Sequence, residues 1–176
     1  MPNTYTLISS NVLSSSAASV TFSAIPSTYT DLVLRISARQ YRGDGTQVQF
    51  FNVRLNSAAT TSFSSTFMRG IDTTVQSFRN SSQADFSYNK TMVDASTSNT
   101  FSFNEIYIPN YASTASTKPV SGVSSAIQNS TNSESSAYAG LYNSTNAVTA
   151  IVISGASGLY EFVSGSSFYL YGIKNS

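Results

Sequence analysis

The chain has 176 residues and a mass of 18.8 kDa, and 40% of its residues are hydrophobic. That is enough for one domain burying roughly two-thirds of the surface of its unfolded chain. His, Cys and Trp are all absent, which excludes zinc and haem sites, disulfides and triads built on His or Cys. Only 10% of residues are charged, 9 basic against 8 acidic, so no field exists to hold nucleic acid or an anionic membrane, and no apolar run reaches the ~18 residues of a membrane helix.

The first residues, Met1-Pro2-Asn3-Thr4, carry no basic side chain ahead of an apolar stretch, so no secretory signal is expected. Residues 1–10 are expected to form an N-terminal arm or an edge strand of a single domain spanning 1–176. In residues 19–25, Val20, Phe22 and Ala24 alternate with Ser19, Thr21 and Ser23, the period of two of a half-buried strand, and Pro26 ends it. Residues 31–39 alternate most clearly, with Leu32, Leu34, Ile36 and Ala38 inward and Arg35, Ser37 and Arg39 outward. Arg42-Gly43-Asp44-Gly45 carries the Asp-Gly pair that hairpin turns favour, because Gly accepts positive φ at no steric cost. In residues 47–56 Val48 and Phe50 share one parity while Phe51, Val53 and Leu55 share the other, which predicts a bulge or a change of partner sheet near Phe50.

Between residues 56 and 84 the apolar residues are sparse, which predicts a long excursion holding one or two short strands. Residues 85–93 and 101–111 read as strands, the second with a slip in parity between Phe101/Phe103 and Ile106/Ile108. Residues 119–129 and 135–143 read as a hairpin around a Ser/Asn-rich turn. Residues 147–154 are apolar on both parities and belong at a sheet centre, and residues 167–173 set Phe168 and Leu170 against Tyr169 and Tyr171. The sum is an all-β fold of about 8 to 11 strands, an antiparallel β-sandwich of jelly-roll type.

The chemical motifs are weak. Arg42-Gly43-Asp44 matches an adhesion tripeptide but is also ordinary turn composition. The Asn-x-Ser/Thr triplets at Asn80, Asn89, Asn129 and Asn143 are what chance gives beside about 55 Ser and Thr. The five Asp are too dispersed for a calcium loop, and no metal or other cofactor is expected. Glu105 lies among aromatics, but no second carboxylate is marked for glycosidase chemistry, so a bond from Glu105 to a nearby Arg or Tyr is the favoured reading and no enzymatic activity is expected. If the aliphatic residues mark the core side, Tyr107, Tyr111, Tyr138 and Tyr142 face outward, where phenol rings serve sugar stacking or a subunit interface. Arg35 and Arg39 read first as solvated sheet face and second as interface contacts.

The runs Tyr5-Thr6-Leu7-Ile8 and Ser19-Val20-Thr21-Phe22-Ser23-Ala24-Ile25-Pro26-Ser27-Thr28-Tyr29-Thr30-Asp31-Leu32-Val33-Leu34-Arg35 resemble β-rich virion proteins of tailed bacteriophages. Val53-Arg54-Leu55-Asn56 and Phe168-Tyr169-Leu170-Tyr171-Gly172-Ile173-Lys174-Asn175 are similar to the same group; the likeness covers both ends of the chain better than its middle. The resemblance implies a jelly-roll-like module of a capsid decoration (cement) protein or of a tail or head fibre, often trimeric, and carries over no catalytic residue. No fibrous trunk is expected ahead of the module, so the expected role is that of a decoration protein on the outer surface of the capsid, with the major capsid protein and its own copies, as a homotrimer, for partners. The alternative is a receptor-binding module that takes host surface glycan through exposed tyrosines.

Overall fold

A computed structural model describes residues 4–43, 48–56, 61–128, 133–156 and 160–174, with Tyr88 by its backbone alone. Among these, thirteen strands and no α-helix are found: β1 (Tyr5–Val12), β2 (Ser19–Phe22), β3 (Asp31–Tyr41), β4 (Val48–Leu55), β5 (Phe63–Ile71), β6 (Thr74–Gln83), β7 (Phe86–Val93), β8 (Ser102–Ile108), β9 (Lys118–Ala126), β10 (Glu134–Tyr142), β11 (Ile151–Gly155), β12 (Glu161–Phe162) and β13 (Ser167–Ile173). They form two layers of a β-sandwich. Sheet A is antiparallel throughout in the order β1-β13-β3-β8-β9-β10-β5-β6. Sheet B runs β2-β11-β4-β7, then takes in the C-terminal end of β3 with β12.

β3 belongs to both layers. Its residues 31–38 pair with β13 and β8 in sheet A, while Arg39 and Gln40 pair with Met92 and Val93 of β7, the one parallel pairing among the described residues. Strict alternation drives this: Leu32, Leu34, Ile36 and Ala38 are at most 1% exposed. They join Phe168 and Leu170 of β13, Ile106 and Ile108 of β8, Val53 and Leu55 of β4 and Ile151 and Ile153 of β11 in one core. Each such side chain contributes about 1.5–3 kcal/mol by leaving water. Phe162 meets Phe51 and Phe168 edge to face, with centroids 5.8 and 5.1 Å apart.

Several expectations hold. β9 and β10 form the expected hairpin, β13 is tied between β1 and β3, and β1 is an edge strand of sheet A. The β4–β7 register shifts just past Phe50, between Phe51 and Val53, but the extra residue lies on β7, between Phe86 and Asn89, while Phe51, Val53 and Leu55 keep one buried parity in β4.

Others are corrected. The segment after β3 is not a hairpin turn, because β7 lies between β3 and β4; Gly43 does take φ +75°, while Asp44 and Gly45 lie outside the described residues. The sparse middle is two long strands, β5 and β6, paired as a hairpin. Their apolar content is low because β6 has one neighbour and is exposed along most of its length. β8 keeps one parity with no slip: Ser102 and Asn104 take the inward places and Phe103 points out. β11 begins only at Ile151, and Val148 is buried from the preceding loop.

Candidate binding surface

Cross-strand register gives the outer face of sheet A as aligned rows. One runs Tyr169, Arg35, Glu105, Val123, Ala137, Met68, Ser77; beside it on one side run Tyr171, Val33, Tyr107, Ser121, Ala139, Thr66, Arg79, and on the other Ser167, Ser37, Phe103, Ser125, Ser135, Gly70, Val75. From β9 to β5 the side chains are small, so the surface dips: neighbouring depressions share Val123, Ala137, Ala139, Met68 and Thr66 and merge into one shallow trough between Tyr107 and Arg79. Large apolar side chains stand in and around it: Met68 is 61% exposed, Phe103 49%, Val123 46% and Val75 81%. The outer face of sheet B differs. Its register rows read Thr21, Val152, Arg54 and Ser19, Ser154, Asn52, with Arg54 3.4 Å from Asp85.

At the β13 end of the trough lies a charged and aromatic cluster. Arg35 donates from Nε to Glu105 Oε2 at 2.7 Å, and its guanidinium lies 5.5 Å from the Tyr5 ring and 5.7 Å from that of Tyr171. Tyr107 donates to Asp31 Oδ2 at 2.7 Å; that bond, with a smaller contribution from burial, pushes its phenol up to about 12. Glu105 thus takes the reading expected of an isolated carboxylate, a bond to a neighbouring Arg. Among the described residues no three acidic side chains gather as a metal site requires.

The other expected site residues are placed differently. Tyr138 and Tyr142 do not face outward: both are buried between the sheets, and burial raises the Tyr138 phenol pKa. The Tyr138 ring fills the space above Gly122, where an added Cβ would come within 2.3 Å of it, and Tyr142 stacks on Phe63 at 5.0 Å. Ala137, Ala139 and Leu141 take the outside instead, because the gap between the layers needs rings to close it. Tyr111 lies past the end of β8, where strand parity no longer applies; it is buried and donates to the carbonyl of Pro26. Of the four tyrosines only Tyr107 stays on the outer face, and the structure brings it together with Arg35. Arg39 is half-buried. Its guanidinium donates to the carbonyls of Asp94, Ser96, Thr97 and Thr100 and fastens the loop after β7.

Sequence reasoning missed Met68, Val75, Val123 and Phe103. The available signal was the company they keep: single large apolar residues among Ser, Ala and Gly on one parity of adjoining strands. It missed the interior charges too. Lys90 Nζ lies 2.9 Å from Glu134 Oε2 and 3.3 Å from the Phe50 ring centroid, with Arg69 3.6 Å from Glu134 Oε1. Burial, opposed by Glu134, lowers the Lys90 ammonium to about 8. Lys118, fully buried, donates to the carbonyls of Ser113, Ser116 and Thr145. These groups sit inside the sandwich and stabilise it; the trough is what an outside partner can reach. Among known proteins, no family model matches the chain and no curated protein is significantly similar to it.

Proposed function

We propose that this protein is a structural component of a tailed-bacteriophage virion, a capsid decoration (cement) protein that docks on the assembled shell through the outer face of sheet A. The observation that carries the reading is the contrast between the two faces of the sandwich. One is polar, and the other presents Met68, Phe103, Val75 and Val123 around a trough of small residues with few charges. Eight strands at ~4.8 Å give a face about 34 Å across and roughly 700 Å² in extent, close to the ~800 Å² per partner of a standard interface. A ligand that binds only the assembled shell stabilises it by mass action, by about 2.7 kcal/mol per site at a hundredfold excess over Kd. The resemblance of both chain ends to phage virion proteins supplies the partner, the major capsid protein.

The test is to titrate the protein into shells that lack it and then heat them. Saturable binding and a raised melting temperature are expected for the native chain; in Met68→Asp and Val123→Asp, both at exposed positions, the affinity falls at least tenfold and the rise in melting temperature is lost at the same concentration. Shells that neither bind the native protein nor gain heat resistance overturn the reading.

A second reading, a module for host surface glycan, is favoured by Tyr5 and Tyr171, whose rings flank Arg35 on the same face. It predicts retention on a glycan array that Tyr5→Ala weakens.

A further inference from the structure

We infer that the N-terminal edge strand is a self-pairing interface: β1 of one copy joins β1 of a second copy, antiparallel, about a two-fold axis between Ile8 and Ser9. Among the described residues β13 is the one strand partner of β1, so its other edge presents unpaired main-chain groups. Natural edges are guarded by Lys, Pro, an inward charge or a bulge; Tyr5-Thr6-Leu7-Ile8-Ser9-Ser10-Asn11-Val12 has no charge and no Pro, and its one bulge leaves it able to pair with itself. The opposite edge, β6, carries Arg79.

The bulge in β1 supplies the specific argument. Its register on β13 shifts between Leu7 and Ser9. Leu7 lies beside outward Tyr171, whereas Ser9 lies beside inward Leu170, Ser10 beside Tyr169 and Val12 beside Ser167. Ile8 packs against the core. From Tyr5 to Val12 the side chains therefore read out, in, out, in, in, out, in, out. That order is the same from either end. Directly opposed residues of an antiparallel pair must share a face. A strictly alternating eight-residue strand fails this in full overlap with itself, because every outward residue then meets an inward one. With the bulge, Tyr5 meets Val12 of the second copy, Thr6 meets Asn11, Leu7 meets Ser10 and Ile8 meets Ser9, all matched.

The side chains fit the same occupant. Tyr5, Leu7 and Val12 are 47, 51 and 59% exposed, and two-fold pairing sets them along one apolar seam. No charge on the strand opposes its own copy, and about six to eight ladder hydrogen bonds form, within the range of ~10 ± 5 for a protein interface. A two-fold contact closes on itself, so the product is a dimer and not a fibre. This differs from the trimer that the family resemblance implies, and it is independent of shell binding; it would join two outer faces into one continuous docking surface.

The experiment uses the whole protein without shells. Sedimentation equilibrium is expected to give a dimer at micromolar concentration. The chain has no native cysteine, so engineered pairs report cleanly. Under mild oxidation Tyr5→Cys combined with Val12→Cys is expected to form a covalent dimer, since opposed Cα atoms lie about 4.5–5.5 Å apart. Tyr5→Cys alone forms at least tenfold less, its two copies being about 23 Å apart along the strands at ~3.3 Å per residue. A monomer at 100-fold higher concentration, a trimer, or equal cross-linking by the single variant overturns the inference. Near-ultraviolet circular dichroism identifies any variant that has not folded, and the native chain's mass decides independently of both variants.

Discussion

The space between the two sheets is closed in two different ways. Over β13, β3 and the adjoining half of β8, side chain meets side chain: Leu34, Ile106, Phe168 and Leu170 face the apolar residues of β4, β11 and β12, all nearly inaccessible to water. Over β9 and β10, beside the ring of Tyr138 stacked on Phe86, side chain also meets backbone. One edge of β7 has no strand beside it through most of its length, and sheet A supplies the missing partners from its inner face. Asn104 Oδ1 and Ser124 Oγ accept from the backbone N–H of Lys90, and Asn104 Nδ2 donates to its carbonyl. The Lys90 side chain then meets Glu134. The first region derives its stability from area; the second holds a strand in place because any shift leaves buried polar groups unpaired.

The comparison is broken hardest in the apolar region. Phe168→Ala removes a ring packed edge to face on Phe162 and is expected to cost about 4 kcal/mol, read as a lower urea midpoint at unchanged slope. In the polar region Lys90→Met leaves Glu134 buried without its closest cation and is expected to cost about 3 kcal/mol. Adding Glu134→Leu recovers most of that loss, since a well-packed apolar pair substitutes for a buried ion pair. If the double variant is no more stable than Lys90→Met, the pair is not the unit described.

A further effect is one of pH. The Lys90 ammonium is lowered in the folded state chiefly by burial, from its ordinary value of 10.5 to about 8. The unfolded chain therefore binds the proton more tightly in that window. The contribution is present above 10.5 and lost as pH falls through about 8. Relative to Lys90→Met, the native protein is expected to gain stability as pH rises from 8 to 10.5. Tyr107, raised to about 12, works the other way above pH 10, and comparison with Lys90→Met cancels it because both proteins carry it. Equal pH profiles would place Lys90 in a wetter site than described.

The parts of the fold legible in the sequence are those where one physical requirement acts alone. β3 and β13 face a single apolar layer, so alternation sufficed, and β9 and β10 flank a short Ser/Asn-rich stretch of sequence. β7 is buried on both sides over residues 89–93, so polar Asn89, Lys90 and Thr91 sit in a core that no apolar periodicity marks. Tyr138 and Tyr142 were misplaced because parity gives two faces without saying which is inside. Gly140 between them on the same parity, and Gly122 opposite Tyr138, were the local sign that rings need room there. Of the binding surface, Arg35 and Tyr107 could be read from their strands alone. Met68 and Val75 needed β5 and β6 to be recognised as strands, and a strand exposed on both faces has no hydrophobic pattern to recognise.

Because residues 31–38 of β3 are laddered in one sheet and its last residues in the other, neither layer can peel away without breaking this strand. The sandwich is expected to lose its structure in one cooperative step, and amide protons at the centre of β3 should exchange with solvent only as fast as whole molecules unfold. Segments outside that ladder, the N-terminal edge first, can open while it stays closed.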